Sequence, residues 1–205
     1  MSTAAAKKLE GSARERLLAA ANELFYEEGV HTVGIERVLE RAGVAKASLY
    51  STFGSKDELV RAYLEARAER RRRRIAERIA RHDDARARIL SIFELMGELA
   101  AAPGFRGCAF YNASAEGPRQ ETKASRICDD QRGWTRALFT ELARDAGAGD
   151  PERLAGQLVV LYDGAMVGAS MDRDPSAPAV ARQMAEVLLD AAVPARAARR
   201  RAPRS

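Results

Sequence analysis

The chain has 205 residues, of which 46% are hydrophobic and 31% are charged, and its formal net charge is +5. This length suits one ordinary domain, or a small domain joined to a medium one, with enough apolar residues for a sizeable core. There is no uninterrupted apolar run of about 18 residues and no apolar signal-peptide core, which argues against a membrane span and a secretory leader. The two cysteines have no metal-binding spacing, so we expect a cytoplasmic protein without metal or cofactor.

Charge is distributed unevenly along the chain. Residues 1–82 hold 17 basic against 12 acidic residues, residues 83–193 hold 12 against 17, and residues 194–205 hold five arginines and no acid. A basic front and an acidic body predict that one end of the molecule meets a polyanion. A general abundance of arginine is the alternative explanation for the basic tail 194–205. We expect this tail to be disordered and residues 1–12 to be flexible.

Apolar residues at helical spacing, interrupted by glycine and proline, predict an all-α chain of about nine helices. The predicted helices are 13–28, 34–42, 45–52, 56–81, 85–101, a short one within 105–119, and then 119–146, 151–171 and 178–192. The first three are short and together too small for an independent core, so they should pack against the long fourth helix.

The segment 41–59, RAGVAKASLYSTFGSKDEL, places a glycine turn at Gly43 between two short helices. Val38, Val44 and Leu49 are predicted to wedge these helices at a fixed angle, which makes a helix–turn–helix with 45–52 as its recognition helix. Short side chains let the backbone approach a groove, lysine can reach guanine or phosphate, and hydroxyl groups can donate to either. The predicted DNA contacts are Lys46, Ala47, Ser48, Tyr50, Ser51, Thr52 and Lys56. A merely solvated polar face is the alternative.

Two further patterns lie close to this segment. Ser55 followed by Glu58 predicts a capping box at the start of the fourth helix. The arginine-rich run 69–74 lies beyond the groove-reading segment, and we expect it to be a solvated or salt-bridged face rather than a DNA contact.

Residues 13–60 resemble the DNA-binding domain of the TetR/AcrR family of transcriptional regulators. The stretches RERLLAAANELFYEEGV and IERVLERAGVAKASLYSTFGSKDEL carry the resemblance. It implies a helix–turn–helix domain at 13–55 and a ligand-binding and dimerisation domain at 56–193. It further implies a homodimer that binds a palindromic operator in double-stranded DNA, usually as a repressor, and is released by a small molecule. Three positions depart from the family pattern: Gly34 and Ala45 stand where hydroxyl residues are common, and Leu39 replaces a smaller residue.

The last two helices pair with their copies in that family. Helix 151–171 contains three glycines, each costing about 1 kcal/mol relative to alanine in a helix interior, which favours very close helix contact. The predicted dimer interface consists of Leu158, Leu161, Gly164, Ala165, Gly168, Met184, Val187 and Leu188. Packing within one chain is the alternative for each of them.

A mainly apolar effector is expected to bind the C-terminal domain. Cys108, Asn112 and Glu116 fall at i, i+4 and i+8 on one face of an otherwise apolar helix, where they would orient such a ligand. The predicted effector contacts are Phe93, Met96, Cys108, Phe110, Asn112, Glu116, Trp134, Tyr162 and Met166, although each of these residues, taken alone, is more often part of a core than of a pocket. Two rival functions remain open: a DNA-binding dimer without effector, and an enzyme with Cys108 as nucleophile. The chain offers no triad, metal cluster or phosphate loop for the second.

Overall fold

The computed structural model describes residues 10–116 and 122–193, and all regular secondary structure within these ranges is α-helical. The predicted all-α fold is therefore confirmed for this part of the chain. The nine helices found there are α1 (Ala13–Glu28), α2 (Ile35–Ala42), α3 (Lys46–Phe53), α4 (Lys56–Ile79), α5 (Ala85–Ala100), α6 (Ala109–Glu116), α7 (Lys123–Asp145), α8 (Pro151–Met171) and α9 (Ala177–Ala192). The predicted basic tail 194–205 and residues 1–9 of the predicted flexible N-terminus lie outside the described residues.

Local capping explains where the first helices begin and end. The Ser12 hydroxyl accepts from the Glu15 N–H at 3.3 Å, while the Glu15 carboxylate accepts from the Ser12 N–H at 2.8 Å, which closes a capping box before α1. Gly43 ends α2 with φ 62° and ψ 44°, and the next N–H, of Val44, donates to the Leu39 carbonyl at 3.2 Å. This is a Schellman ending, which needs a left-handed residue and therefore favours glycine.

The chain forms two compact units. Residues up to Arg74 together with Pro103–Gly133 form unit 1, and Ile75–Ala102 together with the residues from Trp134 onward form unit 2. This division differs from the boundary at residue 55 expected from the sequence. Most of α4, all of α6 and the start of α7 belong to the same unit as the helix–turn–helix.

The core of unit 1 explains that division. The α4 residues Leu59, Tyr63 and Leu64 are almost completely buried and belong to one apolar cluster with α1, α2 and α3. Tyr63 meets Phe25 of α1 edge-on, with ring centroids 5.6 Å apart. Phe110 of α6 is part of the same cluster. The short helices thus obtain their core by packing on α4, as their small size predicted.

Unit 2 is built around α5, α8 and α9, with the end of α7 packed among them. Phe139 of α7 lies against Phe93 of α5, centroids 6.1 Å apart, and meets Tyr162 of α8 edge-on at 6.0 Å. By length and composition α8 is the one helix of the described residues that resembles a membrane span. Its apolarity is explained by packing, because one side of α8 is buried against α5 and α9.

Candidate nucleic-acid interface

The angle between α2 and α3 is set by the buried residues that the sequence predicted. Val38 of α2 and Leu49 of α3 are completely buried, and Val44 in the turn is partly buried against the same cluster. The Arg16 guanidinium of α1 donates from Nη1 to the Gly43 carbonyl at 3.2 Å. The turn is therefore held both from inside, by apolar packing, and from α1, by a hydrogen bond.

The opposite side of α3 faces solvent. Tyr50 is 49% exposed although it is a large apolar residue, and Lys46, Ala47 and Ser51 are exposed too. Ser48 and Thr52 are half-buried at the edge of this face. An eight-residue helix with a buried leucine on one side and small polar residues on the other has the dimensions and chemistry to enter a major groove.

The N-termini of α3 and α4 offer backbone N–H groups beside this surface. Ala45 caps α3 without any side-chain hydrogen bond, and Gly34 caps α2 in the same way, as the departures at these positions implied. At α4 the Ser55 hydroxyl accepts from the Glu58 N–H at 3.2 Å, and Lys56 is the first helical residue. Helix N-termini bind phosphate through such groups, so this end of unit 1 suits a DNA backbone.

The predicted capping box at α4 is only half formed. Instead of reaching back toward Ser55, the Glu58 carboxylate binds Arg61 of the same helix at 2.6 Å and Lys123 at the start of α7. Lys123 and Arg61 thereby hold the pKa of Glu58 below its ordinary value. The first turn of α4 is thus tied to α7 within unit 1.

Comparisons with known proteins agree with this geometry. Residues 17–63 match the family of bacterial regulatory proteins called the tetR family. SCO4454, a TetR-family transcriptional regulator from Streptomyces coelicolor, is 34% identical and superposes with a TM-score of 0.83 over 89% of this chain and 96% of its own. The chain belongs to the TetR family.

Two further relatives of this TetR-family chain are also transcriptional regulators. A putative TetR transcriptional regulator from Streptomyces avermitilis, sav143, is 38% identical with a TM-score of 0.78, covering 89% of this chain and 98% of its own. The transcriptional activator FasR of Mycolicibacterium smegmatis is 30% identical over 139 residues, which are 65% of this chain. The match spans only 60% of the length of FasR. This TetR-family chain is a DNA-binding transcriptional regulator, and the family consists of regulators, not enzymes.

Four of the predicted effector contacts lie in unit 1, on or just before α6. Phe110 is buried, and the Arg71 guanidinium lies 5.1 Å from its ring centroid. Arg71 also donates to the Cys108 sulfur at 3.5 Å. The Asn112 side-chain amide donates to the Arg106 carbonyl at 2.8 Å.

Glu116, the fourth of these residues, lies against the loop after α1. Its carboxylate accepts from the His31 N–H at 3.2 Å. A Cβ placed on Gly29 would come within 2.6 Å of the same carboxylate oxygen. The side chain predicted to orient an effector therefore touches the segment that connects α1 to α2 of the DNA-reading motif.

The other predicted effector contacts lie in unit 2. Phe93, Met96, Tyr162 and Met166 are buried, and Trp134 is half-buried on α7. Phe93 and Tyr162 share the aromatic cluster around Phe139. These residues are placed in apolar surroundings, and their contact with an effector stays a prediction.

The structure divides the predicted dimer residues into two groups. Leu158 and Ala165 are buried inside the protomer, where a partner could not reach them, and this part of the prediction is corrected. A Cβ on Gly168 would lie 3.3 Å from that of Ala177, so this glycine serves the packing of α8 on the start of α9. Gly164 is exposed, and a Cβ there would meet nothing within 4 Å.

An exposed apolar stripe runs along the outer side of α8 and α9. Val160 and Val187 are 68% and 67% exposed. The other large apolar residues of the stripe are Met171, Val180 and Met184, each more than half exposed, with Leu161 and Leu188 half-buried beside them. Five large apolar residues exposed on two helices that pack together are more than a soluble monomer usually leaves to solvent, so the stripe is the candidate surface for a second copy.

The arginine-rich run 69–74 places its side chains on two different faces of α4. Arg71 and Arg72 point into unit 1, where Arg72 donates to the Gln131 side-chain oxygen at 3.1 Å. Arg70, Arg73 and Arg74 are exposed. The run is therefore partly structural and partly a solvated face of α4.

Sequence reasoning missed a polar cluster that connects α1, α4 and the segment before α6. The Tyr26 hydroxyl donates to the Gly107 carbonyl and accepts from the Arg106 N–H, both at 2.9 Å. The Arg67 guanidinium lies 3.7 Å from the Tyr26 ring centroid and donates to the Asn22 side-chain oxygen at 3.1 Å. Burial lowers the pKa of Arg67. Tyr26 and Arg67 look like ordinary helix-face residues, and their partners are distant in sequence, so no local pattern points to them.

Proposed function

We propose that the protein is a ligand-responsive repressor that binds a palindromic operator as a homodimer and is released by a small, mainly apolar effector. The observation that carries the operator part is the solvent-facing side of α3, held rigidly by Leu49 and the Gly43 turn. A cytoplasmic location follows from this role, because the operator lies there.

The apolar stripe of α8 and α9 supports the homodimer. A second copy related by a two-fold axis would cover Val160 and Val187 with the same residues of its partner. Two recognition helices related in this way read two inverted half-sites about 34–36 Å apart, which is one turn of DNA. The palindrome thus follows from the symmetry of the dimer.

The contacts of α6 support release by an effector. A ligand that takes the hydrogen bonds of Asn112 or Glu116 would break their bonds to Arg106 and His31. It shifts the equilibrium only if it binds the DNA-incompetent arrangement more tightly. Loss of the Glu116 contact would free the loop after α1, and with it the orientation of α2 and α3.

The operator part is tested by selecting bound duplexes from a randomised DNA pool with the full chain. Enrichment of an inverted repeat, with two protomers per duplex by light scattering, would support the proposal. Enrichment of a single unrepeated site would contradict the palindromic dimer.

Repression is tested by placing the selected duplex across the core promoter of a reporter gene. Expression should fall when the regulator is produced. The similarity to FasR makes activation the second candidate. An increase in expression when the duplex lies upstream of the promoter would favour activation.

The effector part is tested with a thermal-shift screen of small apolar and aromatic compounds. A hit should lower operator affinity and change Trp134 fluorescence over the same concentration range. Asn112→Ala should weaken both responses and leave ligand-free operator binding intact. A wild-type response from this variant would exclude Asn112 from the effector site, and a screen without hits would favour a constitutive DNA-binding dimer.

A further inference from the structure

Lys46, the side chain best placed to read a base, is held by an ion pair. Lys46, the first residue of α3, forms an ion pair with Glu36 in the first turn of α2, with Nζ and Oε1 3.1 Å apart. Both side chains are solvent-exposed, at 59% and 73%. Because Lys46 is the first residue of the proposed recognition helix, the pair lies at the edge of the surface that we propose faces DNA.

The two groups respond to each other electrostatically. The backbone N–H of Glu36 and, as the second-largest cause, the Lys46 ammonium hold the pKa of the Glu36 carboxyl below its ordinary value. The hydrogen bond to Glu36 raises the pKa of Lys46. Both groups are thus charged at neutral pH, and together they carry no net charge.

A lysine that is free to move at a DNA surface favours phosphate. It releases a counterion and contributes affinity that is independent of sequence, with a salt slope of about 0.9 per phosphate contacted. A lysine ammonium has three donors, and Glu36 occupies one of them. The carboxylate also repels a phosphate that approaches Lys46 from its side.

We propose that Glu36 is a specificity-determining positioning residue, which withholds Lys46 from the phosphates and directs its remaining donors toward a base edge. This inference rests on the proposed reading of an operator by α3. Glu36 reduces total affinity for DNA and increases the ratio of operator affinity to affinity for unrelated sequence.

The chain offers a matched control on the same helix. Glu40 lies one turn after Glu36 and is exposed. Its carboxylate takes part in no ion pair among residues 10–116 and 122–193. Replacing either glutamate by glutamine removes one negative charge from α2, but only the change at residue 36 releases Lys46.

The experiment measures binding of the full chain to the duplex enriched by the wild type and to a scrambled duplex of the same composition, across a salt series. Glu36→Gln should bind the scrambled duplex about threefold to tenfold more tightly at low salt, with a salt slope steeper by about one unit. Operator affinity should change less, so the affinity ratio falls. In a Lys46→Met background, Glu36→Gln should have no larger effect than Glu40→Gln.

Two results would overturn the inference. An equal gain on both duplexes, or an equal gain from Glu40→Gln, would mean that the carboxylate acts only as a general negative charge. If the wild type enriches no sequence, the operator proposal itself fails. A duplex of arbitrary sequence then decides the remaining point, since an unchanged salt slope for Glu36→Gln refutes the restraint of Lys46 and a steeper slope supports it.

Discussion

The contact between Glu116 and the loop after α1 makes Gly29→Ala an informative perturbation. Gly29 ends α1 with φ 100° and ψ 150°, a conformation that is almost restricted to glycine. A Cβ at this position would also lie 2.6 Å and 2.8 Å from the two Glu116 carboxylate oxygens. The substitution therefore strains the backbone and displaces the end of a side chain from another helix.

The two effects have different sizes. Holding a non-glycine residue in such a conformation costs about 1–3 kcal/mol. The Glu116 carboxylate is the flexible end of an exposed side chain and can move away, so the steric part reduces to the loss of its hydrogen bond from the His31 N–H, about 0.5–1 kcal/mol. We expect Gly29→Ala to destabilise the chain by about 1.5–4 kcal/mol in total, which is the sum of these two contributions.

Hydrogen–deuterium exchange of α1 and α2 peptides measures this locally, which matters because the two units need not unfold together. Glu116→Ala alone should lower stability only by the contribution of the hydrogen bond from the His31 N–H. In the Gly29→Ala background the same substitution should leave stability almost unchanged, because the contact is already lost. Gly54→Ala, at φ 80° with nothing within 4 Å of its Cβ, is the matched control for backbone strain alone.

Two outcomes would refute this reasoning. If Gly29→Ala and Glu116→Ala have additive effects, the carboxylate does not move when the Cβ is present, and the two groups are not in contact. If Gly29→Ala is neutral while Gly54→Ala is destabilising, the backbone at Gly29 does not require glycine.

Three other predictions concern the core, the pH dependence and the oligomer. Leu49→Ala should lower the free energy of unfolding in urea by about 2–5 kcal/mol, because it leaves a cavity at a completely buried position between α2 and α3. It should also abolish operator binding. Tight operator binding by this variant would show that the wedge does not set the angle between the helices. Burial raises the pKa of Tyr63 from 10.0 to about 12, so stability that is fully present below pH 10 should be lost as pH rises toward 12. Unfolding of Tyr63→Phe should lack this alkaline loss, on the order of 2 kcal/mol, and parallel pH profiles would contradict it. Val187→Arg should convert the proposed dimer to monomer by light scattering, whereas Ala137→Arg on an exposed position of α7 should leave the oligomeric state of the wild type unchanged. A dimeric Val187→Arg variant would place the interface elsewhere.

The nine helices of residues 10–116 and 122–193 were predictable from the sequence because their signals are local. Gly43 ends α2 through a left-handed conformation that few other residues adopt, and Asp150 before Pro151 begins α8 by accepting from the Arg153 N–H at 3.0 Å. The wedge of Val38 and Leu49 was likewise readable, since α2 and α3 are consecutive and joined by a tight turn. The family assignment depended on these same local features.

The sequence did not determine which side of α8 is inside. This helix is apolar on nearly all sides, so its periodicity does not indicate which side faces the core. Leu158 and Ala165 were therefore predicted to lie at the dimer interface, but packing with α5 and α9 buries them. Val160, which the same packing leaves exposed, was not selected.

Pairings between residues distant in sequence were decided only by the tertiary structure. Glu36 meets Lys46 because the Gly43 turn brings the first turns of α2 and α3 together, and Glu116 reaches Gly29 because α6 packs in the same unit as α1. The residues adjacent in sequence to a charged or small residue do not indicate which distant residue it will contact. Its contacts follow from the packing of the helices, and that packing depends on the whole apolar core at once.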